Sequence, residues 1–211
     1  MSFGTIVIAA GLCGLLSFTL LAVAIGSDYW YIIEVDPANH TTSEDRNSHS
    51  GLWRIYEGKN GSFHDIYSFN VDTSNHTERE KHLLNLHRVT VILLPLSLVL
   101  LVFGGICGLA GSLARSKFLL TGTASYLLIC SLLTISAVSV YISLSQQALE
   151  DLQHMADMES LSHMHVSFGW SLAVACLSFC LELTTGALLI LAAKIAYTQY
   201  HNESTVAISM A

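Results

Sequence analysis

Four long apolar runs divide the chain, at residues 5–26, 89–113, 118–144 and 168–193. Each reaches the roughly 20 apolar residues that a helix needs to cross the hydrocarbon core of a bilayer. Only Glu182 interrupts them with a charge. A segment within lipid must satisfy its backbone hydrogen bonds internally, so each run is predicted to be a transmembrane helix. Strand-like alternation is absent from the runs, which argues against a membrane barrel. The polar stretches between them carry their own pattern. Residues 29–35 and 50–57 are rich in aromatic and β-branched side chains flanked by turn formers, and both read as strands. Residues 63–71 are a further candidate. Residues 78–87 and 146–158 turn to helical spacing and are expected to extend the second and third spans beyond the membrane.

Charge follows the same division. Lys, Arg, Asp and Glu make up 12% of the 211 residues against 52% hydrophobic ones, and mean hydropathy is +0.54. Net charge is −7, with the excess in two places. Residues 27–88 hold ten acidic and six basic side chains, and residues 145–167 hold four acidic and none basic. No basic stripe supports nucleic-acid binding.

The resulting organisation is a cytoplasmic N-terminus (1–4), span one (5–26), a first extracellular loop (27–88), span two (89–113), a cytoplasmic link (114–117), span three (118–144), a second extracellular loop (145–167), span four (168–193) and a cytoplasmic tail (194–211). Orientation rests on Arg115 and Lys117 in the short link and Lys194 at the start of the tail, because short basic loops stay in the cytoplasm. Arg79, Lys81 and Arg88 oppose it from a loop too long for the rule to weigh heavily. Asn39, Asn60 and Asn75 each begin an N-x-S/T sequon in the first loop, in agreement with a lumenal and then extracellular location. A rival reading treats run one as a cleaved signal peptide, on the strength of Ala22-Val23-Ala24. Its length and the lack of a preceding Lys or Arg oppose that.

Candidate chemistry is sparse. Glu182 is a costly intramembrane carboxylate. It reads either as a proton or cation site or, the favoured reading, as a hydrogen-bonded packing residue near Thr184 and Thr185, since no second charge lies in another span. All ten histidines lie outside the runs. His163 and His165 are the densest pair, yet they lack cysteine or acidic partners at metal-ligand spacing. The five cysteines, Cys13, Cys107, Cys130, Cys176 and Cys180, all fall inside apolar runs. No metal, cofactor or catalytic residue is assigned. No nucleophile elbow, phosphate loop or dinucleotide fingerprint is present, and an enzyme is not expected. Ala10 with Gly14, Ala22 with Gly26, and Gly104 with Gly108 stand four apart and let helices approach closely. Packing within one bundle is the favoured use; a homo-oligomer is the alternative.

Trp30 followed by Gly51-Leu52-Trp53 resembles the superfamily of claudins, peripheral myelin protein and calcium-channel γ subunits. Ser27–Ile32, Ser48–Ile55, Leu94–Leu98 and Ser167–Ser171 resemble a claudin-like branch within it. The resemblance implies a membrane all-α four-helix bundle with a small extracellular antiparallel sheet, its strands drawn from the first loop and from residues 165–167. It implies a non-enzymatic structural or interaction protein of the plasma membrane, acting on membrane protein partners in cis or trans. The alternative is an auxiliary subunit that modulates the gating or trafficking of an ion channel. One departure stands out. The superfamily's cysteine pair after Gly-Leu-Trp is missing, with Tyr56 and Ser62 at the expected positions. The sheet is nonetheless expected to form through strand pairing and anchoring by Trp30 and Trp53.

Overall fold

In a computed structural model of the chain, residues 3–35, 48–57, 61–66, 77–155 and 164–209 are described. Four helices carry the apolar runs: α1 (Phe3–Gly26), α2 (Glu78–Leu113), α3 (Lys117–Met155) and α4 (Trp170–Ser209). All four are long and apolar enough to cross a membrane. Their apolarity is not confined to one face. Ile8, Leu12, Leu15, Phe103, Ile106 and Leu109 are each more than half exposed, as expected of helices whose outer surface meets lipid.

The helical extensions predicted from periodicity are continuous with the spans. α2 begins at Glu78, with Glu80 accepting a hydrogen bond from the Thr77 backbone N–H. That satisfies one of the donors a helix start leaves free. Pro95 lies inside α2. α3 continues to Met155, and the remainder of the predicted extension lies outside the described residues. Between α2 and α3, Arg115 adopts φ +48°. The Arg115 N–H bonds the Ser112 carbonyl and the Ser116 N–H bonds that of Gly111. This left-handed stop satisfies the last carbonyls of α2 and turns the chain within the short link.

Five strands form one antiparallel sheet in the order β4-β3-β2-β1-β5. They are β1 (Tyr31–Val35), β2 (Ser48–Ser50), β3 (Arg54–Glu57), β4 (Ser62–Asp65) and β5 (Met164–Phe168). β5 comes from the stretch between α3 and α4 and pairs with β1 over Tyr31↔Phe168 to Val35↔Met164. The sequence reads 50–57 as one strand, but Gly51, Leu52 and Trp53 leave the sheet and divide β2 from β3. The candidate strand at 63–71 is seen as β4 up to Asp65; residues 67–71 lie outside the described residues.

The chain forms two compact units, and each helix contributes to both. One comprises Met1–Leu21, Leu96–Thr134 and Leu177–Ala211. Its core gathers Ala10, Leu101, Leu120, Ala124, Leu127, Leu189 and Ala193. Ser17 and Ser178 clasp α1 to α4, each hydroxyl donating to the other's carbonyl at 3.0 and 2.8 Å. Gly104 belongs to the packing of this unit, since a Cβ there would come within 2.6 Å of Leu127. The other unit, Ala22–Pro95 and Ile135–Cys176, carries the sheet and the helix segments beside it.

Candidate functional site

The sheet unit is built around the end of α1. A helix leaves its last carbonyls without intrahelical donors, and here two tryptophans supply them. Trp30 Nε1–H donates to the Ala24 carbonyl at 2.7 Å, and Trp53 Nε1–H donates to that of Ile25 at 3.0 Å. Trp30 is fully buried, its ring 4.7 Å from that of Tyr141. Trp53 is 42% exposed. The two therefore differ in weight, although the sequence presents them as equivalent anchors.

Gly51-Leu52 completes the clasp. A Cβ at Gly51 would lie 2.6 Å from the Asp28 Cα, so no larger residue lets β2 pass this close to the start of the loop. The Gly51 N–H donates to the Arg54 carbonyl at 2.8 Å, closing the tight excursion between β2 and β3. Leu52 is fully buried, and its carbonyl lies 3.1 Å from His87 Nε2 on α2. A carbonyl only accepts, so Nε2 carries the proton. Burial pushes the His87 imidazole below its ordinary pKa, the bond to Leu52 opposing in part. The neutral tautomer follows.

A second close approach ties β5 into the same clasp. The Gly169 N–H donates to the Trp30 carbonyl at 2.9 Å, and the Ser171 N–H to that of Tyr29 at 3.2 Å. A Cβ on Gly169 would collide with the Tyr29 carbonyl oxygen. Ser27 and Ser171 join hydroxyl to hydroxyl. Gly169 falls within a motif that carries the family resemblance, but sequence alone does not show that its hydrogen atom is what fits.

Where a disulfide is missing, aromatic rings stand in a row. His49 pairs with Tyr56 across β2 and β3, and Tyr56 with Phe63 across β3 and β4. Ring centroids are 4.8 Å apart for His49–Tyr56 and 4.9 Å for Tyr56–Phe63. Tyr29 stacks on His49 at 4.5 Å, and Trp170 lies 6.2 Å from Tyr29. Cross-strand pairs of this kind contribute about 0.2–1 kcal/mol each. The register also places Glu57, not Tyr56, opposite Ser62. Successive side chains leave a strand on opposite faces, so Tyr56 and Ser62 do not face one another. The two positions inferred from the resemblance are therefore not a bridging pair in this sheet. Tyr29, Phe63 and Trp170 remain substantially exposed, so one side of the row is available to a partner.

Glu182 lies in the other unit and is buried. Its carboxylate oxygens each lie 3.2 Å from Thr134 Oγ1 on α3. The hydroxyls of Thr184 and Thr185 are instead turned to the Cys180 and Leu181 carbonyls of their own helix. The packing partner is therefore across the unit, and the sequence neighbours do not supply it. Asn39, Asn60 and Asn75 lie outside the described residues, as does His163. Among the described residues, no three His, Cys, Asp or Glu side chains gather in a way that would hold a metal ion.

Four membrane-crossing helices with a five-stranded sheet clasped to the end of the first define a claudin-like class of membrane protein. The profile of the PMP-22/EMP/MP20/Claudin tight junction family matches residues 15–191, and the chain belongs to that family. It is similar to the human voltage-dependent calcium channel gamma-4 subunit, 30% identical over 187 residues, which is 82% of this chain and 56% of that one. The human gamma-5 subunit is 28% identical over 181 residues, 82% of this chain and 64% of the relative. The gamma-3 subunit of Rattus norvegicus is 28% identical, with 81% and 55% covered. The chain thus spans a little over half to almost two thirds of the length of these relatives.

Proposed function

We propose that this chain is a non-enzymatic four-pass protein of the plasma membrane, with both termini cytoplasmic, that acts through its extracellular loops on partner membrane proteins. The observation that carries the reading is the aromatic row Tyr29–His49–Tyr56–Phe63, in which His49, Tyr56 and Phe63 are paired across strands, Tyr29 stacks on His49, and Tyr29 and Phe63 are left exposed. Aromatic surface is the composition of protein interfaces, and clustered exposed apolar area marks interaction sites. Orientation rests on Arg115, Lys117 and Lys194 under the positive-inside rule, with Asn39, Asn60 and Asn75 as glycan acceptors on the opposite side.

The second reading is an auxiliary subunit that modulates the gating or trafficking of an ion channel. The similarity to calcium channel gamma subunits favours it. Proximity labelling combined with mild-detergent purification from native tissue separates the two. Recovery of a stoichiometric pore subunit, with altered currents on co-expression, establishes the second reading and removes the first. Enrichment at contacts only where both neighbouring cells express the protein supports the first.

A further inference from the structure

In the unit of Met1–Leu21, Leu96–Thr134 and Leu177–Ala211, α1 and α2 bound an open groove of about 260 Å³. Its wall on α1 runs from Val7 through Gly11 and Gly14 to Phe18. Its wall on α2 runs from Leu101 through Gly105 and Gly108 to Ser112. Steps of four, three and four keep each set on one face of its helix. At 1.5 Å of rise per residue, each wall is about 16 Å long. Small residues in a span ordinarily bring a second helix close. Gly11 and Gly105 do not, since a Cβ on either would meet nothing within 4 Å.

The groove has the chemistry of a hydrocarbon site. Ser112 and Thr185 bring hydroxyls to the lining, and both are spent on their own helices, on the Gly108 carbonyl at 2.7 Å and the Leu181 carbonyl at 2.8 Å. An apolar cavity of about 150 Å³ takes a benzene ring, so on that scale the groove takes about ten carbon atoms. Spread along about 16 Å, they form an extended chain and not a ring.

A cation closes one end. Phe3 stands one turn before Val7 on the same face of α1, and Arg115 stands three residues after Ser112. The two meet, with the Arg115 guanidinium 5.7 Å from the Phe3 ring centroid. A contact with a ring face uses none of the guanidinium's hydrogen-bond donors, and among the described residues no carboxylate takes them. Arg115 is exposed, and so is Lys117, whose Nζ lies 3.8 Å from the Tyr197 ring centroid. The acidic residues of this unit are Glu182, buried against Thr134, and Glu203 in the tail. An apolar groove thus ends at an unpaired guanidinium, whose planar fork matches a phosphate.

We propose that this groove holds one acyl chain of an anionic phospholipid, drawn from the leaflet that meets the α2–α3 link, with the lipid phosphate on Arg115. The chain covers Gly11 and Gly105, and the guanidinium selects the headgroup. A second helix, about 10–12 Å across with its side chains, is too wide to enter, and it leaves Arg115 without an anion.

The test uses the full chain in nanodiscs of phosphatidylcholine and phosphatidylglycerol with identical acyl chains, one lipid or the other carrying a diazirine in its chain. After irradiation, mass spectrometry of the intact protein and its peptides counts the attached lipid and locates it. The expected result is one attachment per chain, within residues 7–18 and 101–112, which unlabelled phosphatidylglycerol competes away. Phosphatidylglycerol is expected to be favoured about fivefold, the factor of one basic side chain at an anionic surface. Arg115→Gln brings that ratio close to one without moving the attachment. Gly105→Leu fills the groove with a better helix former and abolishes attachment of both lipids there, with a Tm no lower than that of the wild type. Gly11→Leu does the same from the other wall, and stands in where Gly105→Leu does not fold. Attachment scattered along the lipid-facing surface overturns the proposal. So does a wild-type ratio near one, or a preference that survives Arg115→Gln. A dimer of the chain that Gly105→Leu dissociates also overturns it, because the groove then belongs to a second copy.

Discussion

Replacing Trp30 with phenylalanine keeps an aromatic ring in the fully buried slot and removes the indole N–H that caps α1. The Ala24 carbonyl then keeps only the long 3.4 Å bond from the Ser27 N–H, in a place water does not reach. Losing the shorter of two bonds to a buried acceptor costs about 1–2 kcal/mol. The smaller ring also gives up part of its contact with Tyr141, for which aromatic pairs contribute about 0.5–1.5 kcal/mol. The expected loss is therefore about 1.5–3 kcal/mol. Trp53→Phe removes an equivalent bond, to Ile25, but at a residue 42% exposed. Water can replace the lost donor there, and the cost falls to about 1 kcal/mol. For a chain of this size about 2–4 °C of Tm accompanies each kcal/mol, so Trp30→Phe lowers the midpoint by roughly 3–12 °C and Trp53→Phe by a few degrees. The assay is thermal unfolding of both variants in one lipid environment, followed by tryptophan fluorescence and by protease cleavage of the sheet. Equal losses, or a larger loss for Trp53→Phe, would refute the argument that helix capping in a dry site gives Trp30 the greater weight.

Three further outcomes follow from the same geometry. Tyr56→Cys with Phe63→Cys creates a directly opposed cross-strand pair and is expected to oxidise to a disulfide, whereas Tyr56→Cys with Ser62→Cys places the thiols on opposite faces and is not; non-reducing mass spectrometry of the intact chain distinguishes them. Thr134→Val strips Glu182 of its cross-helix donor and is expected to cost about 1–2 kcal/mol, while Thr184→Val, whose hydroxyl serves its own helix, stays within about 0.5 kcal/mol; comparable losses on unfolding sink the packing role of Glu182. His87 is held below its ordinary pKa of about 6.5 in the fold. The unfolded chain therefore takes up a proton first, and the stabilisation is full above pH 6.5 and is lost as pH falls below that value. The Tm advantage of the wild type over His87→Gln should accordingly shrink between pH 7.5 and pH 5; an advantage that grows on acidification reverses the assignment of His87 as a neutral donor.

The spans were legible because lipid imposes one strong rule, an unbroken apolar run, and the runs here carry a single charge. The strands were legible in outline from the aromatic and β-branched residues around Tyr31, Ile55 and Val166. What stayed hidden was the division at Gly51-Leu52-Trp53. A strand-like composition does not reveal that Leu52 is pulled from the sheet to be buried and to offer its carbonyl to His87. The pairing of His87 with Leu52, 35 residues apart, and of Gly169 with the Trp30 carbonyl, 139 residues apart, are properties of the closed structure. No local pattern encodes them. The partner of Glu182 was hidden for the same reason: Thr184 and Thr185 are close in sequence, but their hydroxyls turn to carbonyls of their own helix, whereas Thr134, which also reaches the Cys130 carbonyl at 3.3 Å, meets Glu182 from across the unit at 3.2 Å.

The missing cysteine pair has a sharper meaning in this light. A disulfide between adjacent strands restricts the unfolded chain, and it gains least when the loop it closes is short. Stacked rings act in the folded state instead, through contacts that extend along the sheet from Phe63 to Tyr29 and on to Trp170 at the start of α4. The two devices differ in what they leave outside. A disulfide buries two small sulfur atoms, whereas the aromatic row holds the sheet together and presents its edges to whatever approaches. On the proposed function, the same residues stabilise the sheet and supply the surface for recognition. Substitutions along the row are expected to perturb stability and partner binding together, and the ends of the row, Phe63 and Trp170, are where the two effects separate, since each contributes to the stack on one side only.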